Sequence, residues 1–301
     1  MSRREKLLKK DLVAHVRKEK GSFKKLSDYS RIMHRFAETL ARLNVQISSA
    51  SQLKVRHIEL YMNSRTNVSK RTRENEMSAI RAVLRQVGKN KLAEPSHPRL
   101  SNKALGISGE SRKGTKTMIT DERFREILQR IEEKDKGIAA AVKLSRYLGL
   151  RNEEAIQSAK SLNTWKKALE RGDDKLRVIF GTKGGRERMT TVVDKNKVIE
   201  AVNYAIKYAS EHDGRLIDRG NLKSAMNYYL NTLRRYGEMK GGDETPHSFR
   251  YSYAASAMKY HIMNGYSYHE ALALTSIDLG HGDGRGRYIE QVYCQLLGHD
   301  E

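Results

Sequence analysis

The sequence predicts a mainly helical α+β fold in two domains, with one small antiparallel β-sheet in the second domain. Apolar residues recur three or four positions apart over most of the chain, which is the period of an amphipathic helix. This period disappears over residues 91–116, which contain two of the three prolines, and again near residue 180, where β-prone segments flank glycines. The sequence therefore predicts a helical module, a linker and a mixed second domain.

The first domain is predicted over residues 1–90 as a small helical module. Apolar residues from Leu26 to Leu43 share one face of a helix that ends near Asn44. The same spacing predicts helices over residues 51–64 and 69–87, with basic outer faces. The first 24 residues are strongly basic, and we expect either a basic arm or a solvated helix, with the arm favoured.

Residues 91–116 are predicted as the linker. Pro95 and Pro98 lie in this stretch together with Gly106, Gly109 and Gly114. Proline and glycine at this density interrupt regular structure, so we place the domain boundary here.

The second domain is predicted over residues 117–301. Asp121 can cap its first helix, and a second helix is expected over residues 137–148. The β-prone segments 176–180 and 188–193 flank a basic, glycine-rich turn, which predicts a hairpin. The remaining predicted helices span residues 195–211, 221–236, 247–263 and 268–278.

The charge of the chain indicates its class of partner. Lys and Arg number 58 against 36 Asp and Glu, a formal net charge of +22. Basic residues recur from end to end, as in proteins that surround a polyanion, so nucleic acid is the first partner to consider. A generally basic scaffold protein is the alternative.

The cysteine content and the hydropathy pattern indicate the cellular compartment of the protein. Cys294 is the only cysteine in the sequence, which excludes an intramolecular disulfide and a cysteine-based zinc cluster. The sequence has no apolar run of membrane-spanning length and no apolar core of a signal peptide near its start. We therefore expect a cytoplasmic protein with no membrane partner.

Three separated motifs carry the candidate chemistry. They are Gly149-Leu-Arg151 with Glu154 three positions later, His247-Ser-Phe-Arg250, and Leu279-Gly-His281. His247 and Arg250 are three residues apart, so they share one helix face and can address one phosphate. Planar, permanently charged guanidinium groups suit the charge that develops on a phosphate during transesterification.

In this order, and followed by a tyrosine near the C-terminus, the motifs resemble the signature of the tyrosine recombinases, the phage integrase-like site-specific DNA recombinases. The resemblance extends from about residue 117 to the end. It implies that residues 1–90 form a helical core-binding domain with a basic N-terminal arm that contacts DNA, and that residues 117–301 form the catalytic domain.

The resemblance also implies roles for individual residues. Arg151 and Arg250 would bind the scissile phosphate, and His247, with a pKa near neutrality, would exchange a proton with the nucleophile. His281 would contact the phosphate and orient the nucleophile. Lys183, on the hairpin turn, would protonate the leaving 5′ oxygen.

Expectations for four further residues complete the set. Glu154 would hold the site together by hydrogen bonding, with a surface carboxylate as the alternative. Arg186 and Arg188 are expected to be DNA-backbone contacts or solvated charges. His261 is expected to be a capping or core histidine.

The position of the nucleophile departs from the family pattern. The usual spacing from the Leu-Gly-His histidine would place the tyrosine at Glu290, and Tyr288 and Tyr293 lie on either side of it. We prefer Tyr293, because the glycine-rich stretch 282–287 looks like an enlarged loop that explains the offset. Tyr288 is the alternative nucleophile.

The implied reaction needs no metal and no cofactor, since arginines and a lysine stabilise the charge. The implied partners are double-stranded DNA recombination sites, bound by a homotetramer, and the implied setting is a bacterial or phage-encoded protein of a mobile genetic element, associated with the nucleoid. A type IB topoisomerase-like enzyme and a non-catalytic architectural DNA-binding protein are the alternatives.

Overall fold

The computed structural model of the chain describes residues 1–109 and 113–294. Its contacts divide into two compact units, Met1–Ser111 and Arg112–Glu301. The described residues are mainly helical with one two-stranded antiparallel sheet, which confirms the predicted fold class. Residues 110–112 of the predicted linker and residues 295–301 of the predicted second domain lie outside the described part.

The first unit is built from helices around one apolar core. Ser2, Ser22 and Ser69 start three of the helices, because each serine hydroxyl accepts a hydrogen bond from a backbone N–H of the first turn. The described helices of this unit are α1 (Arg3–Arg17), α2 (Phe23–Arg42), α3 (Val55–Asn63), α4 (Lys70–Gln86) and α5 (Asn90–Ala93).

The basic N-terminal segment differs from the expected arm or solvated helix. It forms α1, and Leu8, Leu12 and Val16 on one face of α1 are buried in the core of the unit. Three apolar residues at a spacing of four are enough to fix one face while the charged residues stay in solvent. This segment is therefore part of the packed unit and not a free arm.

Much of the predicted linker also packs in the first unit. Leu100 and Ile107 are fully buried in the core of that unit. The Arg81 guanidinium donates to the Leu100 carbonyl at 2.8 Å and to Asn102 Oδ1 at 2.9 Å, so it fixes the chain that follows α5. Proline and glycine interrupt the helices here, but apolar side chains still bury the segment.

The second unit carries the sheet and the remaining helices. Its first helix begins at Asp121 and is capped by Thr120, whose hydroxyl accepts from the Arg123 N–H, so the cap is Thr120 and not Asp121 as predicted. The described helices are α6 (Asp121–Lys134), α7 (Lys136–Leu148), α8 (Asn152–Gln157), α9 (Leu162–Arg171), α10 (Lys195–Ser210), α11 (Leu222–Arg235), α12 (Ser248–Met263), α13 (Tyr268–Asp278) and α14 (Gly286–Val292).

The predicted hairpin forms from β1 (Lys175–Val178) and β2 (Arg188–Thr191), which pair antiparallel. A Cβ atom on Gly181, just after β1, would lie 2.5 Å from the Glu153 carbonyl oxygen. Only a glycine permits this approach, so the hairpin is held against the first turn of α8.

Helix α7 is the centre of the larger core of this unit and packs against α6, α10 and α12. A second apolar cluster joins α12, α13 and α14 and includes Tyr251, Leu272 and Ile289. The residues described next lie at or just beyond the ends of α8, α12, α13 and α14. Among the described residues, no helix combines the length and apolar character that crossing a bilayer requires.

Candidate active site

Five of the residues predicted from the motifs lie together in the second unit, and we refer to them as the tyrosine site. Arg151 immediately precedes α8, and His247 and Arg250 lie at the start of α12. His281 follows α13, and Tyr293 directly follows α14. Four separate segments therefore converge on one site.

The Tyr293 hydroxyl lies between two imidazole rings. Its oxygen is 3.3 Å from Nε2 of His281 and 3.4 Å from Nε2 of His247. The Tyr251 ring packs against the Tyr293 ring, with 4.6 Å between the ring centroids. Both histidines can therefore exchange a proton with this hydroxyl after a small adjustment.

A left-handed turn positions Arg151. Gly149 ends α7 at φ 60°, and a Cβ atom there would lie 2.4 Å from Cδ1 of Tyr253, so no larger residue fits. Glu154 then binds Arg151 twice, accepting from its backbone N–H at 2.8 Å and from Nη1 at 2.6 Å. This double contact explains an acidic residue three positions after the arginine.

The guanidinium of Arg250 is fully buried beside Arg151. Its Nη1 donates to the Gly149 carbonyl, and its Nη2 donates to the Leu279 carbonyl. Arg151 Nη2 donates to the same Leu279 carbonyl at 3.0 Å. Both arginines are therefore anchored on the backbone of the Leu-Gly-His segment.

Burial and the arginine charges keep both histidines neutral at physiological pH. Burial, with Arg250 and Arg151 nearby, lowers the pKa of His247 to about 4 and that of His281 to about 3. The expected pKa near neutrality is therefore wrong for His247 in the free chain. Burial lowers the pKa of Arg250 to about 10, so this group remains charged.

Glu154 and Arg188 form a buried ion pair next to Arg151 of the tyrosine site. The Arg188 guanidinium donates to Glu154 Oε2 at 2.8 Å, and the side chains are 4% and 0% exposed. The expectation of a DNA contact or a solvated charge is therefore wrong for Arg188. The alternation of side chains along β2 could have predicted this burial. Arg188 shares the inward face of the strand with buried Thr190, while Met189 points outward.

Asp278, at the end of α13, was not singled out from the sequence. Its Oδ1 accepts from the backbone N–H of Thr191 at 3.1 Å and from the Thr191 hydroxyl at 2.7 Å. Its Oδ2 lies 3.0 Å from Nε2 of His261, which is buried as expected of a core histidine. Asp278 therefore ties β2 and α12 to the segment that leads to His281.

Lys183 lies on the exposed turn of the hairpin. It begins the short 3-10 turn Lys183–Gly185 between the strands, and its side chain is exposed. Within residues 1–109 and 113–294, no hydrogen bond or ion pair joins Lys183 to the five residues of the site. The hairpin thus carries the lysine at its exposed end.

Tyr288 lies at the edge of the site. Its ring centroid is 4.9 Å from that of His281 and 6.2 Å from that of Tyr293, and 36% of the residue is exposed. Tyr293, in contrast, is 6% exposed and has its hydroxyl near both histidines. The two tyrosines therefore differ in their burial and in their contacts with the histidines.

In the part of the chain that the structure describes, no group of three or more His, Cys, Asp or Glu side chains is placed to hold a metal ion. The polar groups of the tyrosine site are arginines, histidines and a tyrosine, with one carboxylate, Glu154, already engaged by two arginines.

Two family models and several solved structures resemble the chain. Residues 106–256 match the model described as "Integrase", and residues 5–93 match the model "Phage integrase, N-terminal". No curated protein is similar enough in sequence to count as a match.

Among solved structures, a lambda integrase tetramer bound to a Holliday junction shares 15% identity at a TM-score of 0.57, covering 99% of this chain and 78% of that chain. The XerH recombinase bound to its difH substrate shares 13% identity at a TM-score of 0.57, covering 98% and 94%. These similarities show a common fold.

The integrase model covers half of the chain and includes Arg151 and Arg250, and the N-terminal model covers most of the first unit. Together with the fold, these matches identify the chain as a member of the phage integrase family of tyrosine recombinases.

Proposed function

We propose that the protein is a site-specific DNA recombinase that cuts and rejoins DNA through a 3′-phosphotyrosyl intermediate on Tyr293. The observation that carries this proposal is the Tyr293 hydroxyl, which lies between two neutral histidines and beside two anchored arginines. A neutral imidazole is the form that can accept a proton from an attacking hydroxyl.

In the first step the Tyr293 oxygen attacks the scissile phosphorus. A P–O bond to the tyrosine forms, the bond to the 5′ oxygen breaks, and the tyrosine proton passes to His247. His281 orients the same hydroxyl from its other side. The later attack of a 5′ hydroxyl reverses these steps, and His247 returns the proton.

Arg151 and Arg250 stabilise the charge that builds up on the non-bridging oxygens. Their guanidinium groups are held in place by the Leu279 and Gly149 carbonyls and by Glu154, so little reorganisation is needed when the phosphate arrives. This role requires permanent charge, which Arg250 keeps despite its burial.

Lys183 protonates the departing 5′ oxygen. The turn that carries it contains Gly184 and Gly185, both at positive φ, and this backbone freedom lets the exposed lysine approach bound DNA. The proton balance of the step then closes, because the tyrosine proton is held by His247 and the 5′ oxygen leaves as a hydroxyl.

The partner is double-stranded DNA, and the acting species is a homotetramer on two recombination sites. The net charge of +22 supports a DNA partner, and the lambda integrase and XerH structures are of proteins bound to DNA, the former as a tetramer. The phosphotyrosyl bond conserves the energy of the phosphodiester, so the reaction needs no ATP.

Covalent capture tests this function. Nicked duplexes of random sequence are incubated with the protein, the mixture is denatured, and DNA that stays attached to protein is amplified and sequenced over several rounds. We expect a single enriched site, a free 5′ hydroxyl at the cut, and joined recombinant products from two such sites.

Other outcomes would point elsewhere. Relaxation of supercoiled plasmid without joined products would replace the proposal with a type IB topoisomerase activity. Specific DNA binding with no covalent adduct on any selected sequence would indicate an architectural DNA-binding protein.

A further inference from the structure

The Arg188 guanidinium contacts two segments next to the tyrosine site, the stretch around Arg151 and the end of α13. It donates to Glu154 Oε2 at 2.8 Å, to the Gly149 carbonyl at 3.2 Å and to the Asp278 carbonyl. These acceptors are 34 to 90 residues away from Arg188 in sequence. One buried side chain therefore connects segments that are far apart in the sequence.

Each acceptor lies within three residues of one that the proposed chemistry uses. Gly149 and Glu154 lie on either side of Arg151, and Glu154 holds both its backbone N–H and its Nη1. Asp278 lies three residues before His281. Arg188 is thus placed to set the distance between the phosphate-binding arginine and the histidine that contacts Tyr293.

The stem of Arg188 also packs against the Leu-Gly-His segment. A Cβ atom on Gly280 would lie 2.6 Å from Cδ of Arg188, and Gly280 has a φ of 65°. The glycine before His281 therefore leaves the space that the arginine occupies. Arg188 contacts the backbone of Gly280, and His281 is the next residue, so the position of His281 depends on the position of the Arg188 side chain.

The ion pair controls the charge of Glu154. Burial alone would raise the pKa of this carboxyl, but Arg188, followed by Arg250 and Arg151, lowers it to about 2. A buried carboxylate that loses one of its two arginine partners is less stabilised in its charged form, so it takes up a proton more readily or moves towards water. Either change would loosen its two hydrogen bonds to Arg151.

We propose that Arg188 is a positioning residue of the recombinase, which fixes Arg151 through Glu154 and fixes His281 through the Asp278 carbonyl and Gly280, without touching DNA. This inference rests on the proposed function and deepens it. It separates Arg188 from Arg186, two residues earlier on the same hairpin, whose side chain is exposed.

The first test compares Arg188→Met with Arg186→Met as the matched control. The dissociation constant for the selected site and the rate of adduct formation at saturating DNA are measured for each. For Arg188→Met we expect binding within about threefold of wild type and a rate lowered on the order of 10²-fold, the scale of a small misplacement of reacting groups.

The control should behave differently. We expect Arg186→Met to keep the wild-type rate at saturation, with binding unchanged or weaker. If Arg188→Met instead binds weakly and reacts at the wild-type rate once saturated, Arg188 is a DNA contact and the positioning role is overturned.

A pH profile separates positioning through Glu154 from general loss of structure. In Arg188→Met the pKa of Glu154 rises, so the rate should fall as the pH is lowered through that raised value. Glu154→Gln has no carboxyl to titrate, so the double variant Arg188→Met/Glu154→Gln should lose this added acid limb and keep only the one that His247 sets near pH 4. An equal loss at every pH in both variants would overturn the proposal.

Two further measurements keep the outcomes distinct. Arg188→Lys retains the charge but not the fork of donors, and we expect it to fold and to recover part of the rate. Backbone NMR signals of residues 279–281 report positioning without cleavage and should shift in Arg188→Met and Arg188→Lys, but not in Arg186→Met.

The NMR measurement tests the role of Arg188 whether or not the protein cleaves DNA. If the wild-type protein forms no adduct while these signals shift, the proposed function fails and the structural role of Arg188 stands. If the signals stay in place, the role of Arg188 fails even where wild-type cleavage is strong.

Discussion

Nε2 of His247 lies 3.4 Å from the hydroxyl oxygen of Tyr293, and burial together with the Arg250 charge lowers the pKa of this imidazole to about 4. His247 is therefore ready to accept a proton at any pH well above that value. Under the proposed function, this imidazole accepts the tyrosine proton without a pKa near neutrality.

The acid limb of cleavage should reflect this low pKa. A base with a lowered pKa works above that pKa and is lost as the pH falls through it, so kcat/KM for adduct formation should fall near pH 4 and not near pH 6.5. Rapid mixing of DNA with protein briefly held at each pH measures this profile. A midpoint between 6 and 7 would contradict the account of His247.

The role proposed for Lys183 predicts rescue by a better leaving group. Lys183→Met should slow cleavage of ordinary DNA by about 10²- to 10⁴-fold, the usual contribution of a general acid. A substrate with sulfur in place of the bridging 5′ oxygen leaves without a proton, so it should restore the rate. Arg186→Met is the control and should give the same ratio of rates on the two substrates as wild type.

Gly149 should tolerate substitution much less than Gly172. Both end helices at positive φ, but a Cβ atom on Gly149 would collide with Tyr253, whereas nothing lies within 4 Å of one on Gly172. We expect Gly149→Ala to lower the free energy of unfolding by roughly 2–5 kcal/mol and Gly172→Ala by roughly 1–2 kcal/mol. Equal losses in denaturant titrations would refute the packing argument.

Asp278→Asn should destabilise the second unit. An amide offers one neutral acceptor oxygen in place of the two charged ones, so the hydrogen bonds to Thr191 and the contact with His261 lose their carboxylate partner, at a cost of about 1–3 kcal/mol. Asp173→Asn is the control, because Asp173 pairs with Arg171 in solvent and should lose less than about 1 kcal/mol. Chemical denaturation of both variants measures the difference.

The sequence motifs predicted the residues that come together in the site, but not the buried charged residues that support them. Arg151, His247, Arg250 and His281 stand in short patterns whose spacing already places them on helix ends, and the structure brings them together with Tyr293. Arginine and aspartate are usually solvated, so charge alone gave no reason to bury Arg188 or Asp278. Their partners are distant in sequence, and only the folded chain shows them.

Other differences between the predictions and the structure have local causes. Helix α1 has an apolar face of only Leu8, Leu12 and Val16 among charged residues, so its composition resembles that of a solvated segment. Residues 100 and 107 are isolated apolar positions without a period, and such positions do not predict packing. Thr120 and Asp121 are both good caps, and the choice between them depends on where the helical backbone begins.

The most direct test of the central claim is to identify the tyrosine that carries the DNA. The adduct on the selected site is digested with nuclease and then with a protease that cuts after glutamate, because cleavage after Glu290 separates Tyr288 from Tyr293. Mass spectrometry then locates the attached nucleotide. We expect it on Tyr293, with no adduct from Tyr293→Phe and a normal yield from Tyr288→Phe, whereas a nucleotide on Tyr288 would contradict the assignment.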